Sequence, residues 1–150
     1  MPQSLVTLRT HLVFSTKNRE RLITPTVEGE LHAYLAGILK AKGSPAIEIG
    51  GWEDHVHILF SLSKTVALSE VVCDLKSDSS KWIKGRGPAL ANFYWQAGYA
   101  AFSIGKSAEA DLIRYIRRQR EHHQRRDFKD ELRTFLRKYE VEYDERYVWD

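Results

Sequence analysis

From His55 to Phe60 the chain reads His-Val-His-Ile-Leu-Phe, an unbroken run with the character of a β-strand. Successive strand side chains point to opposite faces, so Val56, Ile58 and Phe60 share one face while His55 and His57 share the other. Two imidazoles projecting side by side from a rigid strand can hold one metal ion. Asp54, just before them, is expected to point to the opposite face if the strand is regular.

The flanking sequence supplies an order of elements around this strand. Leu5 to Lys17 reads as a first strand, and Thr24-Pro25-Thr26 opens a helix whose Leu31, Leu35, Ile38 and Leu39 repeat at helical spacing until Gly43. Ala46 to Ile49 is a second strand, Gly50-Gly51 a turn, and His55 to Leu62 the third strand, which makes a hairpin. A helix from Leu68 to Lys84 carries an apolar stripe of Leu68, Val71, Val72, Leu75, Trp82 and Ile83, with Cys73 expected buried. Tyr99 to Ile104 is a fourth strand. Ser107 is the expected N-cap of a third helix carrying Tyr115 and Gln119, and Phe128 to Lys138 is a last helix.

Strand, helix, strand, strand, helix, strand is the order of the ferredoxin-like split βαβ arrangement, an α+β fold with a four-stranded antiparallel sheet. The first and third strands are then central neighbours, and the additional C-terminal helices cover remaining surface. With 150 residues, no internal repeat and no linker, residues 1–150 are expected to form one domain.

Composition narrows the setting. A single cysteine excludes an internal disulfide and a multi-cysteine zinc site, and suits a reducing cytoplasm. No apolar run is long enough for a membrane span, and the first residues lack the pattern of a secretory signal. The net charge of +3 is modest, but Arg114, Arg117, Arg118, Arg120, Arg125 and Arg126 crowd one helical stretch. Such a stripe favours a polyanion, nucleic acid above all, although a solvated basic face is its bland equivalent.

The third helix gives the histidines a chemical context. Tyr115 and Gln119 are four apart and stack on one helical face, at the edge of a packed stripe with Ala108, Leu112 and Ile116. The plain interpretation is a core-flanking tyrosine bonded by a glutamine. The chemical one is two imidazoles and an amide oxygen around a hard divalent ion, beside a tyrosine hydroxyl. An ion so held would offset charge in the displacement at a phosphodiester, and a phosphotyrosine would preserve the bond energy for rejoining. His11, His32, His122 and His123 are read as surface or packing histidines.

His55-Val56-His57 resembles the HUH motif of nucleases and transposases, two histidines around a bulky apolar residue. With Tyr115 and Gln119 the chain is similar to the single-tyrosine HUH transposases of bacterial insertion sequences, which include the REP-associated tyrosine transposases. The resemblance extends through His11 to Lys17, Gly50 to Asp54, Leu75-Lys76 with Ser79-Ser80, Trp95 to Tyr99, Glu121-His122-His123 and Asp144 to Tyr147. It implies that His55, His57 and Gln119 bind Mg²⁺ or Mn²⁺ and that Tyr115 attacks a DNA phosphate, leaving a 5′-phosphotyrosine and a free 3′-OH. The expected partners are single-stranded DNA carrying hairpins and a second copy of the chain, with no membrane. Lys17, Lys76, Arg114, Arg117 and Arg118 are candidate DNA contacts.

Two rivals stand beside this reading. One is a catalytically silent nucleic-acid-binding module on the same sheet, similar in architecture to an RNA-recognition domain, although no aromatic-rich run stands on the central strands. The other is a domesticated relative that processes hairpins without mobilising its own gene.

Overall fold

The computed structural model describes residues 2–150. Four strands form one antiparallel sheet: β1 (Arg9–Ser15), β2 (Ala46–Trp52), β3 (His55–Ser61) and β4 (Ala100–Ser103), in the order β2-β3-β1-β4. The expected ferredoxin-like arrangement is therefore present, with β1 and β3 at the centre. Among the described residues five α-helices accompany it: α1 (Pro25–Ala41), α2 (Leu68–Lys84), α3 (Lys106–Arg117), α4 (Gln119–His123) and α5 (Phe128–Lys138).

Register sorts the central side chains into two layers. Leu12 opposes Ile58 and Phe14 opposes Val56, and this face packs on Leu31, Leu35 and Leu39 of α1 and Val71, Val72 and Leu75 of α2. The other face carries His11 opposite Leu59, Val13 opposite His57 and Ser15 opposite His55. There Val13, Leu59 and Phe102 pack against Leu112 and Ile116 of α3 and Phe128, Leu132 and Leu136 of α5. The C-terminal helices thus close the histidine face, and every β3 residue from His55 to Phe60 is buried.

Several local expectations are corrected. Gly50 and Gly51 lie inside β2, and the hairpin turns at Glu53-Asp54 instead. A Cβ at Gly50 would stand 2.4 Å from the Ile116 carbonyl oxygen, so the missing side chain lets α3 lie directly on β2. Gly105, not Ser107, occupies the cap of α3. Cys73 is exposed, because with Ser69 and Ser77 it lies on the helix face turned away from Val71, Val72 and Leu75. The stretch carrying Tyr115 and Gln119 is two helices, not one. At Arg118 the backbone leaves helical geometry (φ −101°, ψ 23°), and its N–H bonds the Tyr115 carbonyl at 3.2 Å.

Candidate active site

His55 and His57 project from the most central part of the sheet, both fully buried. The turn preceding β3 frees Asp54 from strand alternation, so its Oδ1 lies on the histidine side, 2.7 Å from His55 Nδ1. His57 Nδ1 is 2.9 Å from Nε2 of His11, its diagonal neighbour on β1. Both imidazoles are thereby held by their Nδ1 atoms, and both Nε2 atoms face the helices above. Orientation of a histidine through its second nitrogen is the usual support of a metal ligand.

Gln119, the first residue of α4, is buried and brings Oε1 to 2.9 Å from His55 Nε2. Tyr115, in the last turn of α3, is half-buried, with its ring edge-on to His57 and stacked on His122 at 4.4 Å between centroids. The helix break at Arg118 does not separate them, since both reach the same histidine pair.

The residue that joins these groups is Glu131, on α5. Its Oε1 lies 2.8 Å from His57 Nε2 and 3.4 Å from His55 Nε2. Its Oε2 accepts the Tyr115 hydroxyl hydrogen bond and lies 3.2 Å from His123 Nε2. Asp127 caps α5 by accepting from the Asp130 N–H, which places Glu131 in the first turn, where the helix dipole favours an anion.

Sequence reasoning missed Glu131, although a signal was there. It occupies a position on the apolar stripe of Phe128, Leu132 and Leu136, where a charge needs a partner. Three of the four histidines read as surface or packing groups also belong to the site. His11 holds His57, His122 stacks on Tyr115, and His123 approaches Glu131.

Burial and charge set the protonation. Burial raises the carboxyl of Glu131, but His57, His123 and His55 outweigh it and hold the group ionised, well below the usual carboxylate range. For His55, burial pulls down, yet Asp54 and Glu131 prevail and push it above the ordinary histidine value. Burial wins at His57 and His11, which both lie below it. Burial first, then the Glu131 charge, raises the Tyr115 phenol above its ordinary value.

One ligand atom from each of His55, His57 and Glu131 falls within 4.8 Å of the others, with Gln119 Oε1 adjoining. Nitrogen and oxygen donors of this kind fit a divalent ion such as Mg²⁺, Mn²⁺ or Zn²⁺. Beside Tyr115 a cavity of about 560 Å³ is lined by the apolar Leu112 and Phe135, by Arg125, Arg126 and Lys138, and by the acidic Asp111.

The remaining predicted contacts are dispersed. Arg114 pairs with Asp111, Arg117 Nε donates to Glu48 at 3.1 Å, and Arg118 and Lys17 are exposed. Lys76 is differently engaged: its ammonium donates to the carbonyls of Gln96, Ala97 and Gly98, at 2.8, 3.1 and 2.6 Å. Those three bonds use all its donors, so it clamps a loop and has no N–H left for a phosphate. With helices over the histidine face, the sheet has no open aromatic platform of the RNA-recognition kind.

No helix among the described residues is long and apolar enough to cross a membrane. The family model for IS200-like transposases matches residues 4–119. The ISDra2 transposase TnpA of Deinococcus radiodurans is 26% identical over 117 residues, covering 75% of this chain and 84% of that protein. A solved Deinococcus radiodurans structure described as a transposase superposes with a TM-score of 0.62 at 21% identity, over 79% of this chain and 98% of that one. A REP-associated tyrosine transposase bound to a REP hairpin gives the same TM-score at 13% identity, over 82% and 73%. The match of sequence across the sheet, the histidine strand and the tyrosine helix places this chain in the IS200-like transposase family, as a transposase acting on DNA.

Proposed function

We propose that residues 1–150 act as one metal-dependent HUH transposase domain that cleaves and rejoins single-stranded DNA at hairpin-flanked element ends through Tyr115. The observation that carries this reading is the meeting of Tyr115 with His55 and His57 across one buried carboxylate. The likeness to a protein bound to a REP hairpin supports the hairpin substrate. The family implies a divalent metal, which fits the nitrogen and oxygen donors present.

His55, His57 and Gln119 would hold the ion, Mg²⁺ or Mn²⁺, which when bound would offset negative charge on the phosphodiester in the displacement. Asp54 and His11 fix the two imidazole rings so that their Nε2 atoms converge. Tyr115 gives its proton to water as its oxygen attacks phosphorus, and water returns one proton to the leaving oxygen. The new Tyr–O–P bond forms as the P–O3′ bond breaks, and the leaving oxygen takes up a proton as a free 3′-OH. Attack by a 3′-OH on the phosphotyrosine reverses these bond changes and rejoins strands without ATP. Lys17, Arg114, Arg117 and Arg118 contact DNA phosphates, and Arg125, Arg126 and Lys138 rim the cavity where the strand passes. The chain works as a homodimer, as the family resemblance implies, and in the cytoplasm, which suits its single cysteine.

The test incubates the protein with labelled single-stranded DNA bearing its gene's flanking hairpins, with Mg²⁺ or Mn²⁺, beside Tyr115→Phe. A metal-requiring covalent protein–DNA band that vanishes in the variant is expected. Salt-sensitive binding with no band, across metals and hairpins, would instead identify a silent hairpin-binding module.

A further inference from the structure

We propose that Glu131 is at once a ligand of the divalent ion and the positioning residue of the nucleophile, with Oε1 on the ion and Oε2 on the Tyr115 hydroxyl. The proposal rests on the metal-dependent reading above and extends it to a residue beyond the 4–119 family match.

Neighbouring ligands on an octahedral Mg²⁺ with bonds of 2.0–2.1 Å stand about 3 Å apart. Here His57 Nε2 to Glu131 Oε1 is 2.8 Å, His55 Nε2 to Glu131 Oε1 is 3.4 Å, and His55 Nε2 to Gln119 Oε1 is 2.9 Å. These three pairs have about the spacing of adjacent corners of one coordination shell, and the His55, His57 and Glu131 atoms all lie within 4.8 Å of one another. The ion takes the place of the protons that now join them. His11 permits this exchange, because its Nε2 can donate to His57 Nδ1 or accept from it, freeing the His57 Nε2 lone pair for the ion.

Charge points the same way. Two neutral imidazoles and an amide leave a divalent ion uncompensated in a site where His55 and His57 are fully buried and Glu131 is 1% exposed. A carboxylate is the ligand such an ion favours, and ionised Glu131 is the carboxylate the histidines converge on. Its second oxygen is bonded to Tyr115. One carboxyl group therefore tethers nucleophile to ion before DNA arrives. Four protein ligands leave about two octahedral positions for phosphate oxygens.

The first test measures Mn²⁺ binding to the full chain without DNA, by the free-Mn²⁺ paramagnetic resonance signal, for wild type, His57→Ala and Glu131→Gln. Both variants should weaken binding by about tenfold or more. Wild-type affinity in Glu131→Gln with loss in His57→Ala overturns the ligand role alone. Wild-type affinity in both overturns the histidine metal site as well. Should Glu131→Gln not fold, electron–nuclear double resonance on Mn²⁺-loaded wild type with ¹³C-carboxyl glutamate decides: a strongly coupled carbon is expected, and its absence overturns the ligand. The tether is read from the ¹³Cζ resonance of Tyr115, assigned by its loss in Tyr115→Phe. Mg²⁺ should move it in wild type; an unmoved resonance overturns the positioning role.

Discussion

Tyr115 and Glu131, 16 residues apart in the chain, meet as phenol donor and carboxylate acceptor, and the carboxylate's other oxygen faces His57. The pair keeps the phenol protonated at rest, since burial and the Glu131 charge both oppose the phenolate. Removing the hydroxyl therefore has a structural cost besides the catalytic one. Tyr115→Phe should abolish covalent adduct formation and lower stability by about 1–2 kcal/mol, because a buried carboxylate loses a donor. Urea unfolding checks the second number; unchanged stability would mean that the bond contributes nothing.

The contact of β2 with α3 is tested at Gly50. Gly50→Ala forces a methyl group against the Ile116 carbonyl, one residue from Tyr115. It should destabilise by about 1–3 kcal/mol, as overpacking does, and slow adduct formation by displacing α3. Gly37→Ala is the control, because a Cβ there meets nothing within 4 Å and alanine is the better helix former. Equal stability of the two variants would contradict the close approach.

His11 touches no reacting group, yet it holds the ring of His57. His11→Phe keeps an aromatic ring against the tilted Phe102 and the edge-on Phe135 but removes the Nε2 partner. Mn²⁺ affinity should fall by about tenfold or more, as it does when a ligand's orienting partner is lost. Titration calorimetry giving wild-type affinity would reduce His11 to packing alone.

His32, beside the cavity behind Gln119, offers a stability measurement independent of the metal. Burial lowers its pKa from 6.5 to about 4, and its Nε2 has no hydrogen-bond partner among the described residues. The folded value lies below the unfolded one, so the folded state favours the neutral ring. The contribution is complete above about pH 6.5 and is lost as pH falls toward 4, where the unfolded chain takes up the proton first. Its full size is at most about 3 kcal/mol. His32→Gln should flatten that part of the profile, measured by urea unfolding at pH 7 and 4.5; parallel profiles would refute it.

The sheet was legible because each strand is short, apolar on at least one face and bounded by breakers. Helices α2 and α5 begin and end at the expected residues, Leu68–Lys84 and Phe128–Lys138, since their apolar spacing is regular. Strand alternation puts His55 and His57 on one face and the four-residue spacing relates Tyr115 to Gln119, but that the two pairs meet was implied only by the family resemblance. The helix break was not legible, because Tyr115 to Gln119 contains neither glycine nor proline. Nor was the company of His11, which depends on strand register, or that of Lys76, whose partners are the carbonyls of a loop. Glu131 was obscured by ordinary expectation: a glutamate early in a helix usually faces water and favours the dipole.

His11, His57, Glu131 and Tyr115 are linked in series, each satisfying the next from the sheet out to the half-buried tyrosine. Replacing one strands its neighbour without a partner, so the cost of a second replacement depends on the first. Such positions cannot drift singly. A descendant released from strand transfer would be expected to exchange them together for apolar residues, keeping the sheet and erasing the chemistry in one coordinated change.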